Sequence, residues 1–517
     1  MAIASGARKI VEIIGRHPAL YLALPSLYLL LAYPPLWKDV DSLAQLIWAK
    51  GPENILHFPP LYCFTGRIPF WVGDCIQALL TGRPLPQMNL SAGQNPSALG
   101  IELLIVVQHA TFVGASSLLV RAAAKTAMSR GLIVLSFAAA SALYAQQQCA
   151  ASEAPSVTAI IFLTACGLFV LRKNDWRAWT LYTIALFLAI GTRHINIVLA
   201  LWLPIALSGV LFWRILARQP IKQESVQLRP RATLLLAMQV SVALFCGAVA
   251  ILADEMVARI MIAQVGQEYR SGAGYTLTDR IGAFLNRLPE SERTSLVQRL
   301  VTSENDPVVR VAIAAAGKPG ISHSEMGGIV RNALRQQGAP EQSLSARTDT
   351  IVLRAALTYF KTFHPRLLST IFSDFLHGYV REDNGKLSLN RFLQNRSTAR
   401  SSLIDPASWE PMKQLRSIDY PEAFELVDRA EADIYLMLWG PIPLIVLILI
   451  DIGVAALLVR RGKGVTAWYA GSLLVTSVLL YLANCVCAYF NDRYALPTLV
   501  CGVVALAIEL GSWLEAV

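Results

Sequence analysis

Runs of about twenty apolar residues recur along most of this chain, and no soluble fold could hide them all. A helix needs roughly 20 mainly apolar residues to cross a bilayer. Inside lipid the backbone must bond within itself, which favours helices. Such runs fall at about 17–36, 98–120, 131–148, 154–171, 177–192, 195–213, 233–256, 434–458, 466–488 and 494–513. The chain is 55% hydrophobic and only 15% charged, against about 25% charged in ordinary globular proteins. The expectation is an all-α integral membrane protein with about ten transmembrane helices. For 177–192 and 195–213 a single long bent helix is the alternative, because Arg193 and His194 separate two short members.

The segments between the runs predict orientation. Stretches 1–16, 121–130, 172–177, 214–231 and 460–463 carry seventeen Lys and Arg, against only Glu12, Asp175 and Glu224. The loop 36–97 carries four basic and four acidic residues, and 148–153 with 489–493 carry only Arg493 among basic residues. By the positive-inside rule both termini are cytoplasmic. The net charge of +10 is thereby a matter of topology and calls for no nucleic acid. Arg8, Lys9 and Arg16 precede the first run, and Tyr33, Pro34, Pro35 and Trp37 follow it in place of a small-residue cleavage site. This predicts an uncleaved first span.

Three parts follow. Residues 1–257 form an N-terminal transmembrane module whose first outer loop is 36–97. Residues 258–433 form a polar, mainly helical extracytoplasmic insert, and 434–517 form a C-terminal transmembrane module. Within the insert, Asp306 and Pro307 read as a helix N-cap with proline in the first turn. Ile281, Phe284, Leu285 and Leu288 share one helical face, and Leu296, Val297, Leu300 and Val301 repeat the spacing. Segment 318–350, rich in Gly, Ser, Gln and Arg, reads as loop. Segment 355–379 is apolar and aromatic but broken by Pro365; it suits a membrane surface or a helical core equally. Asp254, Glu255, Glu268 and Arg270 read as solvated residues at the entry to the insert. Cys63 and Cys75 share the outer loop, as a disulfide or as two free thiols.

The chemistry-bearing residues cluster at the predicted outer face. Asp39 and Asp41 lie two residues apart just after the first span. Carboxylates near an interface are partly desolvated, which can tune them as general bases, and they leave a divalent cation open; no His or Cys ligand set points to a metal. The alternative is a pair capping a helix that starts at Leu43. The loop continues through His57, Pro59, Pro60 and Tyr62 to Arg67, Pro69 and Trp71, a stiff amphipathic segment suited to the headgroup level. Arg193 and His194 sit at the outer end of a run. Arginine pairs two oxygens of a phosphate through its planar fork, or snorkels to headgroups. Arg493 and Tyr494 stand at the outer start of the last run, as headgroup contacts or interface anchors. Glu102 and Glu153 lie at outer helix ends, with His109 deeper in its run.

This arrangement resembles the GT-C superfamily of membrane glycosyltransferases. Its hallmark is a modified D-x-D in the first extracytoplasmic loop, the place Asp39 and Asp41 occupy. His57, Pro59, Pro60, Leu61 and Tyr62 look like the HPPLY stretch of many bacterial members, and Arg493, Tyr494 and Pro497 look like an element that opens a late span in many such enzymes. The likeness covers roughly residues 10–215 and is nearest in layout to the protein O-mannosyltransferase and aminoarabinose-transferase group. It departs from that group in placing the large polar segment between spans rather than after the last.

The resemblance implies a sugar donor on a polyprenyl phosphate, an extracytoplasmic acceptor (lipid, glycan or protein) and a bacterial inner membrane. Asp41 or Asp39 would be the general base of an inverting transfer, and Arg193 with Arg493 would hold the donor phosphate. His57, Tyr62, Arg67, Glu102, Glu153, His194 and Tyr494 would line the cleft. Signatures of soluble nucleotide enzymes and hydrolases are absent. A transporter or flippase of a lipid-linked substrate is the alternative, although no paired halves are visible.

Overall fold

A computed structural model describes residues 2–32, 60–87, 97–148, 152–216, 228–263, 268, 272–380, 444–462, 464–487 and 496–514. Among them the regular structure is entirely helical. Five helices are long and apolar enough to cross a membrane, within 99–123, 153–173, 194–212, 234–260 and 464–487. All ten apolar runs contain helix.

The N-terminal helices are α1 (Ala2–Arg16), α2 (Pro18–Ala32), α3 (Pro60–Thr81), α4 (Ala98–Ala123), α5 (Ala127–Ala139) and α6 (Ser141–Gln147). After them come α7 (Glu153–Lys173), α8 (Trp176–Thr192), a 3-10 segment (His194–Leu201), α9 (Trp202–Leu216) and α10 (Leu228–Ala263). Two sequence expectations change here, and two alternatives left open by the sequence are resolved. Residues 2–16, expected as loop, are helix packed along α5, because Gly15 and Gly131 let the two backbones approach until an added Cβ would overlap the opposite chain. The run 131–148 is broken at Ala140. The pair 177–192 and 195–213 is two segments, since Arg193 adopts an extended conformation (φ −153°, ψ 116°) between them. Cys75 carries a free thiol.

Local signals account for the joints. The α7–α8 turn ends one helix on Asn174 in the left-handed region (φ 47°) and starts the next on Asp175, whose carboxylate accepts from Ala178 N at 2.8 Å. Both are ordinary uses of Asn and Asp at helix ends. Gly167 makes room for the Trp202 ring and the Tyr469 hydroxyl, which donates to Thr164 O at 3.2 Å. Helix α10 turns Leu234, Leu235, Met238, Leu244, Phe245, Leu252, Met256 and Ile260 outward. A continuous apolar face of that length suits lipid, not water.

Six helices follow: α11 (Ala273–Asn286), α12 (Glu290–Ser303), α13 (Pro307–Ala316), α14 (His323–Gln336), α15 (Glu341–Phe360) and α16 (Pro365–Val380). The Asp306 cap is present, with Oδ1 accepting from Val308 N and Val309 N. Segment 318–350, expected as loop, contains α14 and the start of α15. The sign was there: Ser322 and Glu325 form a reciprocal capping box, and Met326, Val330 and Leu334 repeat every four residues and are buried. Segment 355–379 divides at Pro365, which begins α16. Tyr359, Leu367, Ile371 and Tyr379 enter this core, while Phe363, Leu368 and Phe372 are exposed.

The C-terminal helices are α17 (Leu444–Arg460), α18 (Gly464–Cys487) and α19 (Leu496–Leu514). Tyr481 and Cys485 of α18 belong to the same core as the six preceding helices. The joint is polar at its centre. Arg280 Nη1 lies 2.6 Å from Asp374 Oδ2, both buried, and the Tyr481 hydroxyl donates to Asp374 O at 3.1 Å.

Candidate functional site

The site is built where α3 begins and α8 ends. A Cβ added at Gly191 would lie 2.7 Å from Leu61 Cδ2 and 3.0 Å from Asp254 Oδ1, so α3, α8 and α10 meet there. Two residues past α8, His194 Nδ1 lies 3.5 Å from Asp254 Oδ2. Asp254 is therefore not solvated as expected; it is 7% exposed. It stands near the end of an apolar run, where sequence alone reads a boundary, yet the neighbouring helices cover it. Tyr62 is buried beside Leu61, and Arg193 is half-buried at the turn.

Asn196 holds that turn in shape. Its Nδ2 donates to Ala189 O at 2.8 Å and to Ser156 Oγ at 2.9 Å. One bond closes α8 and the other ties the turn to the first turns of α7, where Glu153 is buried. An acidic residue in a helix's first turn also suits the helix dipole.

A second contact fixes α3 against α4. Gly73 and Gly100 cross so closely that a side chain on either would strike backbone. Asp74 Oδ1 accepts from Ser97 N at 2.7 Å, and Ser97 Oγ caps α4 through Gly100 N at 3.0 Å. Burial pushes the Asp74 carboxyl above its ordinary range, and the Ser97 bonds pull it back in part. Arg67 and Glu102 are buried on the two helices that cross here.

Deeper lies a polar layer. Gln148 Oε1 is 2.9 Å from His109 Nε2, and Ser26 Oγ is 3.0 Å from Nδ1. Since an amide oxygen only accepts, Nε2 carries the proton and Nδ1 accepts from Ser26. Gln108 Nε2 donates to Gln147 O at 2.8 Å. Sequence reasoning singled out neither Asn196 nor Ser26; a lone polar residue in an apolar run is the signal that could have found them.

Of the predicted site residues, the structure brings Tyr62, Arg193, His194 and the start of α7 with Glu153 into one neighbourhood, and puts Arg67 and Glu102 at the adjoining crossing. Asp39, Asp41, His57, Arg493 and Tyr494 lie outside the described residues. Among the described residues no group of three His, Cys, Asp or Glu side chains could hold a metal ion. The chain gives no match to protein-family models, to curated proteins or to solved structures.

Proposed function

We propose that the chain is a membrane glycosyltransferase that moves a sugar from a polyprenyl-phosphate donor to an extracytoplasmic acceptor. One observation carries this reading. Asp39 and Asp41 precede α3, whose first residue is Pro60, in the sequence, and Leu61 packs on Gly191 beside Asp254. Helix α3, which starts nineteen residues after Asp41, thus begins beside the turn of Arg193 and His194.

Asp41, or Asp39, takes the proton of the acceptor hydroxyl. The acceptor oxygen attacks the anomeric carbon from the face opposite the phosphate. The bond from that carbon to the phosphate oxygen breaks, and the lipid phosphate leaves with the electron pair. Arg193, helped by Arg493, balances the charge growing on that phosphate. Tyr62, Arg67, Glu102, Glu153, His194, His57 and Tyr494 shape the cleft. No metal is required, although the Asp pair leaves a divalent cation open.

General-base assistance is worth about 10²–10⁴-fold. Asp41→Asn or Asp39→Asn, assayed separately for transfer from a lipid-linked sugar, should lower the rate by that order in whichever residue is the base. Arg193→Lys, which keeps charge but loses the fork, should weaken transfer as well. Full activity in both aspartate variants sinks the reading. A lipid-linked-substrate transporter is the rival, favoured by one observation: carboxylates buried within the last helices. Lipid movement without transfer would decide for it.

A further inference from the structure

Two carboxylates lie deep in the seam between α17 and α19. Asp451 and Glu509 are both 0% exposed, and among the described residues none of their four carboxylate oxygens has a hydrogen-bond partner. Asp451 Oδ2 reaches across the seam to 3.6 Å from where a Cβ on Gly502 would sit. Glu509 follows Gly502 by two helical turns. It is therefore on the same face of α19, about 10 Å further along at about 1.5 Å per residue. At that end Arg461 lies over the Trp513 ring at 5.0 Å, and Ser512 Oγ bonds Thr466 Oγ1 at 3.5 Å.

The elements around the seam bring ionisable groups, and among the described residues no cation pairs with either carboxylate. On α18 the hydroxyls of Tyr469 and Tyr481 bond Thr164 O and Asp374 O. On α16, Asp374 is held by Arg280 and His377 is exposed. Arg130 of α5 donates to Ala124 O, Arg172 of α7 reaches Ala123 O, and Arg121 of α4 is exposed. Arg460 and Arg461 are exposed at the end of α17. The thiols of Cys166, Cys485 and Cys501 bring no positive charge.

An isolated ionised carboxylate away from water is costly by far more than any packing gain. Ionisable residues at membrane depth accordingly mark ion and proton pathways. No group of three His, Cys, Asp or Glu side chains among the described residues could hold a metal ion, whose oxygen ligands lie at about 2.0–2.6 Å. A sodium or calcium ion at either acid would also need several more oxygens. A proton needs none.

We propose that Asp451 and Glu509 form an intramembrane proton-binding site in the C-terminal helices, loaded from the end that carries Arg460 and Arg461. Glu509, nearer that end, is the first acceptor, and Asp451 is the inner one. The proposal stands apart from the transferase reading and does not use its residues.

The test is infrared spectroscopy of the full chain in lipid vesicles. A protonated carboxyl shows a carbonyl band that a carboxylate lacks. The expected result is an acid band that declines reversibly as pH rises, shifts on transfer to D2O, and loses intensity in Asp451→Asn and again in Glu509→Gln. Should an amide variant misfold, Asp451→Glu and Glu509→Asp keep the acid and move its band, so the assignment survives. Carboxylate bands at every pH would overturn the proposal, as would an acid band that neither titrates nor exchanges in D2O. Loss of the band on adding sodium at fixed pH would replace the proton with an alkali cation.

Discussion

Two regions of this molecule bury an aspartate against the C-terminal helices, and they treat it oppositely. At the joint of α16 with α18, Asp374 is only 6% exposed, yet Arg280 lies at 2.6 Å and Arg287 at 3.6 Å, and its backbone oxygen takes the Tyr481 hydroxyl. In the seam of α17 with α19, Asp451 has none of this among the described residues. A buried acid with a fitted cation is part of how helices are held in register. One without a partner weakens the fold, and its presence is explained by something that it binds. The distinction is in the neighbours, since both are aspartates on helices.

Removing the cation from the first region should make it resemble the second. Arg280→Met leaves Asp374 buried with only the exposed Arg287 near it, and should cost about 3–5 kcal/mol, read as a lower melting temperature in detergent. A loss under about 1 kcal/mol would show that this pair does not hold the joint. The opposite change belongs to the seam. Asp451→Leu replaces an unpartnered carboxylate with a side chain of similar shape and should stabilise by about 1–3 kcal/mol. Destabilisation there would mean that Asp451 has a partner, and would undo the contrast.

Smaller changes sharpen it. Tyr481→Phe deletes one bond to Asp374 O and should cost about 0.5–1.5 kcal/mol, much less than the loss of Arg280. Asp74 offers an intermediate case, a half-buried acid that accepts from the neutral groups of Ser97. Burial raises its pKa above the ordinary 3.8. Its contribution to stability is therefore full below that value and is lost as pH rises through the higher folded value. Asp74→Asn should flatten that part of the melting profile, and an unchanged profile would contradict the assignment.

The apolar helices were legible because hydropathy is a property of composition along a window, and five of them are long enough to cross a membrane among the described residues. Caps were legible where residue types sit at fixed offsets, as at Asp306. Segment 318–350 was misread because Gly and Gln outweighed the Ser322 and Glu325 pair that starts α14. At the site, Arg193 and His194 stood out as charges between apolar runs. Asp254 was taken for solvated, although it faces His194, because no local pattern says which neighbour covers the end of a run. Asp451 and Glu509 could have been noticed as acids inside apolar runs; that neither has a partner could not.

What the sequence determined by itself was local: where helices of lipid-spanning composition lie, which residues cap them, and which polar residues are rare enough to question. Windows and offsets carry that information because helix formation and capping act over a few neighbouring residues. Tertiary structure decided which buried charges are paired. Arg280 meets Asp374 across 94 positions of chain, and Asp451 meets α19 at Gly502 and no cation among the described residues. Ion pairing acts over a few ångströms of space, and only the packed helices set which residues share those ångströms.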